Sequence, residues 1–217
     1  MAQKRPITKP GSEPDRKETI IYHARNLFQE RSFDGVNIRE IMQLAEVSQP
    51  TIYYYFQNKD GLFLAVLLDI LAEIDDEFNR ASRSDDFKEQ LEIIALAFTQ
   101  RPAPNLPTLF AELRRRVEHN KQFPDQGITP NQARSALTYV DKLWPRSLEN
   151  ILQEARRYGE ASFDNLAFTA NHLLTVFAAY PHSPFTAYET KNREHKIDAL
   201  LDYLMTILKT NNTSAQI

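Results

Sequence analysis

Residues 47–56 read VSQPTIYYYF, with three tyrosines and a phenylalanine in succession. A tyrosine side chain combines a rigid apolar ring with a hydroxyl group that forms hydrogen bonds. The hydroxyl can bind a phosphate oxygen, and the ring can pack on a sugar or on a thymine methyl group. Four adjacent rings cannot all point into one core, so we expect part of this segment to form a contact surface.

A helix over residues 48–56 would sort these rings. At about 100° per residue, Ile52 and Phe56 point to one side of the helix and Tyr54 points to the opposite side. A purely structural helix would carry Lys, Glu or Gln on its outer side. The outer surface predicted here consists of Pro50, Thr51, Tyr53 and Tyr54, with Gln49 and Tyr55 at the edges of the buried side.

Two helices are predicted before this segment. From Ile20 onward, apolar residues recur at i, i+4, i+7 and i+8, which is one stripe of an amphipathic helix. Gly35 then provides a permissive turn, and Asn37 with Glu40 has the spacing of a capping box for a helix of about two turns. Ser48 can cap the third helix. This succession describes a helix-turn-helix, whose third helix enters the major groove of DNA.

Charged residues on either side support that interpretation. Asn58 is expected to cap a fourth helix with Lys59 at its first position, where a cation opposes the helix dipole but suits a phosphate. Residues 1–17 contain five basic and two acidic residues. They fit either a solvated, disordered tail or a basic arm beside a nucleic-acid-binding module.

Residues 16–63 resemble the DNA-binding domain of the TetR family of bacterial transcriptional regulators. The matching motifs are ARNLF, Phe33-Asp34-Gly35, I-x-x-I-x-x-x-A from Ile38, VS-x-x-TIY-x-x-F-x-x-K ending at Lys59, and Leu62-Phe63. The resemblance covers less than a quarter of the chain. It implies an all-helical homodimer that binds a palindromic operator, most simply as a repressor, and releases it when a small-molecule inducer binds the C-terminal domain.

The resemblance also implies which residues contact double-stranded DNA. Glu46 stands where the family commonly has Gly, which would cost about 1 kcal/mol if φ is positive there. Tyr55 stands where the family often has His. The predicted DNA-binding residues are Arg16, Lys17, Asn37, Ser48, Gln49, Pro50, Thr51, Tyr53, Tyr54, Tyr55 and Lys59.

The composition is that of an ordinary globular protein, with 217 residues of which 42% are hydrophobic and 25% charged, and a net charge of −3. The chain contains no cysteine, so disulfides and cysteine-ligated metals are excluded. The most apolar stretch, LFLAVLLDILAEI, is short and contains Asp69, which favours a core helix over a membrane span. We therefore expect a cytoplasmic protein without membrane contact.

The remainder of the chain predicts an all-α fold with about nine helices in all. Pro145 is expected to interrupt one long helix at Trp144, and Gly159 to end it. The expected domains are a flexible arm (1–15), the helix-turn-helix domain (16–63) and a helical ligand-binding and dimerisation domain (64–217). The six further helices are expected at about 59–80, 85–100, 106–119, 131–158, 161–180 and 190–209.

The last two helices carry wider apolar surfaces than a helix facing only its own core requires. Deep burial within a monomer is one explanation, and a dimer interface matching a two-fold operator is the one we favour. The predicted interface residues are Phe163, Leu166, Ala170, Leu174, Phe177, Ile197, Leu201, Leu204 and Leu208.

Aromatic residues are frequent in the middle of the chain, where they either fill the core or line a pocket for a mostly apolar ligand. The kink expected at Pro145 would leave space for such a pocket. The predicted ligand-binding residues are Phe98, Phe110, Tyr139, Trp144 and Tyr158.

The alternatives are a helical adaptor or a small helical enzyme without DNA binding. The five histidines are scattered, and the ligand-like spacing of Glu194, His195, Asp198 and Asp202 is more typical of a solvated helix face. The run Arg114–Arg116 could bind an anion but is also read as solvent-facing. We expect no catalytic residue, cofactor or metal site.

Overall fold

The structure, a computed structural model, describes residues 13–31, 33–99, 106–119, 130–180 and 193–210. Every regular element in these ranges is helical, which confirms the predicted all-α class. A π-helical turn, Tyr139–Leu143, joins α7 to α8 without a break, so ten α-helical segments form nine rods. The helices are α1 (Glu13–Glu30), α2 (Ile38–Leu44), α3 (Gln49–Phe56), α4 (Lys59–Ala81), α5 (Phe87–Thr99), α6 (Leu106–His119), α7 (Pro130–Thr138), α8 (Trp144–Arg157), α9 (Leu166–Ala179) and α10 (Arg193–Thr210).

Helices α1 to α3 and the first turn of α4 form the reading head of the molecule. Its centre is aromatic: the Phe28 and Phe33 rings are stacked with centroids 5.7 Å apart, and Phe63 of α4 meets both rings edge-on at 5.2 Å. Ile20 of α1 and Ile52 of α3 are fully buried beside them. Helix α1 begins at Glu13, so the end of the predicted arm is helical, while residues 1–12 lie outside the described part.

The turn between α2 and α3 contains a strained residue. Glu46 has φ +53°, in the left-handed region that glycine adopts most easily, so the condition for the cost of about 1 kcal/mol is met. Asn37 caps α2 by accepting a hydrogen bond from the Arg39 amide at 2.9 Å. Glu40 does not complete a capping box, because its carboxylate pairs with Arg31 at 2.9 Å instead.

The connection between α3 and α4 depends on a close backbone approach. The Asn58 side chain caps α4 and accepts from the Gly61 amide at 2.8 Å, as the sequence predicted. A Cβ atom on Gly61 would lie 1.9 Å from the Phe56 carbonyl oxygen, so only glycine fits there. Gln57, with φ +64°, turns the chain sharply between the two helices. The angle between α3 and α4 is therefore set by contacts within a few residues.

Helix α4 continues from the reading head into the body. On the head side, Arg25 of α1 pairs with Asp69 at 3.2 Å and with Glu73 at 2.8 Å, and its side chain is largely buried. On the body side, Ile74 and Phe78 of α4 are buried in the core. One continuous helix thus connects the two parts of the molecule.

In the second half of the body, two predictions made from the sequence agree with the structure and one differs. The helix interruption lies one turn before Pro145, as the π turn, and Gly159 with φ +76° follows the end of α8. Helix α9 begins at Leu166 rather than near residue 161. Asn165 caps it by accepting from the Phe168 amide at 2.9 Å, and the preceding segment has no regular structure, with the Ser162 amide donating to the Leu208 carbonyl at 2.6 Å.

Among the described residues, none of the helices combines the length and the apolar character needed to cross a bilayer.

Candidate nucleic-acid interface

Helix α3 separates its aromatic residues as the helical spacing predicts. Ile52 and Phe56 are buried against the reading head. On the opposite side Tyr54 is 73% exposed and Tyr53 is 41% exposed. Two phenol rings therefore stand on the outer surface of the helix that a helix-turn-helix places in the major groove.

Local hydrogen bonds orient the neighbouring polar side chains. The Gln49 amide donates to the Tyr53 hydroxyl at 3.2 Å, one helical turn apart. The Ser48 and Thr51 hydroxyls share a hydrogen bond of 2.8 Å. Ser48 occupies the N-cap position, but its side chain makes no capping bond, which differs from the sequence prediction. Pro50 lies in the first turn of α3, as predicted, and is exposed.

Tyr55 is less suited to contact DNA than its two neighbours. Its side chain is half-buried and borders a cavity of about 240 Å³. The other walls of that cavity include Leu64 and Leu68 of α4 and Gln132 of α7. Tyr55 thus faces the junction with the body, while its ring meets the Tyr54 ring edge-on at 5.1 Å. We infer that Tyr55 supports Tyr54 rather than reading a base.

The predicted phosphate-binding residues lie in different environments. Arg16 and Lys17 are exposed in the first turn of α1, and Asn37 is exposed although its side-chain oxygen caps α2. Lys59 is half-buried, with its ammonium 4.4 Å from the centroid of the Phe33 ring. Burial lowers the pKa of Lys59 from its usual value, and the neighbouring Arg116 lowers it further.

Arg116 packs on the Phe33 ring of the reading head, beside Lys59. Its side chain is only 13% exposed, and its guanidinium carbon lies 3.4 Å from the centroid of the Phe33 ring. It also pairs with Asp60 in the first turn of α4 and with Glu112 of its own helix at 2.7 Å. The interpretation of this arginine run as solvent-facing is therefore wrong for Arg116. No periodicity in the sequence could have shown that α6 reaches the reading head.

The predicted aromatic pocket is filled. Trp144 is buried, with its ring 5.7 Å from that of Phe98 and 6.5 Å from that of Phe110, and both neighbours meet it edge-on. Tyr139 is half-buried in the π turn, and Tyr158 is 75% exposed at the end of α8. The rings of Phe98 and Phe110 pack against that of Trp144 and fill the core, so these five residues do not line one apolar pocket.

A polar cleft lies next to this aromatic cluster, between α4 and α8. Its volume is about 540 Å³. Within the described residues, neither Asp75 nor Arg157 on its walls forms an ion pair. Phe78, whose ring stacks on Trp144 at 6.1 Å, also borders the cleft. The other polar residues on its walls are Asn79, Ser82, Gln90, Ser147, Asn150, Gln153 and Glu154.

Most residues predicted for a dimer interface are core residues of the single chain. A partner could reach them only after the chain had opened, because the neighbouring helices already cover them. Leu166 and Leu174 are half-buried. The buried ones are Phe163, Ala170, Phe177, Ile197, Leu201, Leu204 and Leu208.

Of the four residues with ligand-like spacing, Glu194 and His195 have side chains that lie outside the described part of the structure. Asp202 pairs with Lys88 of α5 at 2.9 Å. In the part of the chain that the structure describes, no three histidine, aspartate or glutamate side chains are placed to hold a metal ion.

A reading head of this geometry, attached by one long helix to a helical body, defines a helix-turn-helix DNA-binding regulator. The comparisons with known proteins agree. The family model "Bacterial regulatory proteins, tetR family" matches residues 20–66. The chain is 31% identical to the probable HTH-type transcriptional regulator ArpR of Pseudomonas putida over 164 residues, which cover 74% of this chain and 76% of ArpR. The chain belongs to the TetR family of transcriptional regulators, and it is not an enzyme.

Two further relatives match this chain, one over a shorter segment and one at lower identity. The regulator RutR of Escherichia coli K12 is 38% identical over 56 residues, which span only 26% of either protein. The crystal structure of AibR in complex with isovaleryl coenzyme A and operator DNA superposes with a TM-score of 0.64. It covers 87% of this chain and 97% of AibR at 17% identity, and therefore shows a shared fold.

Proposed function

We propose that this regulator binds a palindromic operator as a homodimer, represses transcription from it, and releases it when a small molecule binds the body. The observation that carries the proposal is the outer face of α3, with Tyr53 and Tyr54 exposed and Gln49 bonded to Tyr53. A single α3 reads only a few base pairs, so specific binding requires two copies related by a two-fold axis.

The outer faces of α9 and α10 are the surfaces we propose for dimerisation. Phe168 is exposed on α9, and its ring is stacked on that of His172 at 5.9 Å. On α10, Tyr203 and Ile207 are exposed one turn apart. The folded chain therefore leaves large side chains exposed on both α9 and α10. They include Phe168, His172, Tyr203 and Ile207. Their burial against a second copy would remove apolar and aromatic surface from water.

We propose the cleft between α4 and α8 as the effector site, which changes the expected chemistry of the ligand. A carboxylate, a guanidinium and several amides on its walls favour a small polar compound over an apolar one. The cleft borders Phe78, and Phe78 stacks on Trp144, so an occupant would lie one ring away from the interrupted helix. An effector acts by binding one conformational state better than another.

The DNA-binding part of the proposal is tested by selection from a random duplex library at low salt. We expect a symmetric motif with half-sites about one helical turn apart. Affinity for this motif should fall linearly with salt on a double-logarithmic plot, because basic side chains release counterions from phosphates. Selected duplexes without two-fold symmetry would contradict dimeric operator binding.

The effector site is tested with a panel of small polar metabolites, scored by release of the selected duplex. For an active compound we expect Arg157→Gln to weaken its effect by about 10- to 100-fold, since a hydrogen bond to a charged group contributes about 1.5–3 kcal/mol. Arg146→Gln removes the same charge from an exposed position of α8 that does not line the cleft. Equal responses of the two variants would place the effector elsewhere.

A further inference from the structure

Helix α6 contacts the body at the helix interruption. The Phe110 ring meets the Trp144 ring edge-on, with centroids 6.5 Å apart. One turn further along, Arg114 binds Asp141 with both terminal nitrogens, and the Nη1–Oδ2 distance is 2.9 Å. Asp141 belongs to the π turn, and Trp144 is the first residue of α8. The middle of α6 is therefore fixed to the irregular part of the α7–α8 rod.

The end of α6 contacts the reading head. The Arg116 guanidinium lies over the Phe33 ring and pairs with Asp60, the second residue of α4. Asp34, next to Phe33, lies 3.8 Å from the same guanidinium. Since Phe33 packs on Phe28 of α1 and on Phe63 of α4, Arg116 rests on the aromatic centre of the head.

The contact of Arg116 extends to a residue beside the DNA-binding surface. Lys59 also lies over the Phe33 ring, with its ammonium 4.4 Å from the ring centroid. Two cations that share one ring repel each other, and this repulsion contributes to the lowered pKa of Lys59. Lys59 starts α4, and only two residues separate it from the end of α3. A displacement of Arg116 therefore changes the forces on the segment that joins α3 to α4.

Helix α6 can transmit a displacement because its two sets of contacts lie on one regular helix. Six residues separate Phe110 from Arg116, or about 9 Å along the axis. A helix keeps this separation, since bending it within fewer than two turns would break backbone hydrogen bonds. A shift at the π turn must then move Arg116, unless one of the two sets of contacts breaks.

We propose that Arg116 is a positioning residue for the reading head, and that α6 couples the head to the π turn through Arg116 at one end and Arg114 with Phe110 at the other. This inference rests on the proposed DNA binding and names how the binding surface is regulated. Coupling between two sites is reciprocal. Operator binding at α3 must therefore change the surroundings of Trp144, even when no effector is present.

The test follows the fluorescence of Trp144, the single tryptophan of the chain, during titration with the selected duplex. We expect the emission of the wild type to change as the duplex saturates the protein. Arg116→Gln should abolish this change and weaken duplex binding by about 3- to 30-fold, the range found for residues that couple sites. Arg115→Gln removes the same charge from the adjacent, half-exposed position, which also pairs with Glu112 and lies 3.8 Å from Asp34. Within the described residues it lacks the contacts that Arg116 makes with Phe33 and Asp60, so it should retain most of the emission change.

A second variant pair acts at the other end of α6. Asp141→Asn removes the partner of Arg114 at a surface position, where a loss of folding is not expected. It should reduce the emission change as Arg116→Gln does, whereas Lys142→Gln, in the same exposed turn, should not. Far-UV circular dichroism and thermal unfolding confirm that each variant is folded before it is titrated.

The outcomes separate this inference from the proposed function. A wild-type protein that selects no duplex contradicts the proposed DNA binding. A wild type that binds the duplex without a change in Trp144 emission overturns the coupling and leaves DNA binding intact. The coupling is also overturned if folded Arg116→Gln and Asp141→Asn variants retain the full emission change.

Discussion

Replacement of Tyr203 and Ile207 together by glutamate is expected to produce a folded monomer that has lost operator binding. Both side chains project from α10 into solvent, with Tyr203 63% exposed, so the folded chain loses little by the change. In the proposed dimer the two subunits would bury four carboxylates without partners. The free energy of removing these charges from water exceeds the free energy gained by burying the rest of the interface. A monomer loses the avidity of two linked half-sites, a factor of about 100 or more in affinity.

The measurement is the molar mass in solution by light scattering, followed by titration of the selected duplex. Tyr158→Glu is the matched control, because this tyrosine is 75% exposed on α8 and should leave the dimer unchanged. Leu201→Glu is a contrasting variant, since Leu201 is fully buried and a charge there should unfold the chain rather than separate two folded subunits. A dimeric Tyr203→Glu/Ile207→Glu protein would move the interface away from α10.

Removal of the Tyr54 ring is expected to lower both the affinity for the operator and the discrimination between operator and random DNA. Tyr54→Ala should weaken binding to the selected duplex by about 10- to 100-fold, because a good contact to a base edge contributes about 1–3 kcal/mol of discrimination. Binding to random duplex should change little, since phosphate contacts dominate there. Tyr54→Phe, which keeps the ring and removes the hydroxyl, separates packing on the base from hydrogen bonding. Fluorescence anisotropy with both duplexes measures these effects.

Variants at Lys59 and Tyr22 are the controls for Tyr54→Ala. Lys59→Met keeps an apolar stem over the Phe33 ring but removes the charge. It should weaken both duplexes alike and reduce the salt slope by about one phosphate contact. Tyr22→Ala removes an exposed tyrosine of α1 that lies outside α3 and should have no effect on specificity. If Tyr54→Ala and Lys59→Met lower binding to both duplexes equally, the division into base and phosphate contacts is wrong.

The sequence by itself determined the features that depend on neighbours within one or two helical turns. The sorting of Ile52 and Phe56 from Tyr54 follows from helical geometry alone, because a period of 3.6 residues places each side chain on a known side. The cap at Asn58 and the stop at Gly159 follow from local hydrogen bonding and from a left-handed backbone. The contact surface of α3 could therefore be predicted without knowing how the helices pack.

The tertiary structure decided which apolar and charged side chains are buried, and which distant residues bury them. A wide apolar stripe shows that a helix is buried on several sides, but Leu201 of α10 is buried within its own chain. The large side chains that the described part of α10 leaves exposed are Tyr203 and Ile207. The rings around Trp144 could line a pocket or fill a core, and only their mutual distances showed that they fill it. Arg116 looked solvated because its partners Phe33 and Asp60 are more than fifty residues away along the chain. Contacts at such separations depend on helix packing, which local sequence patterns do not encode.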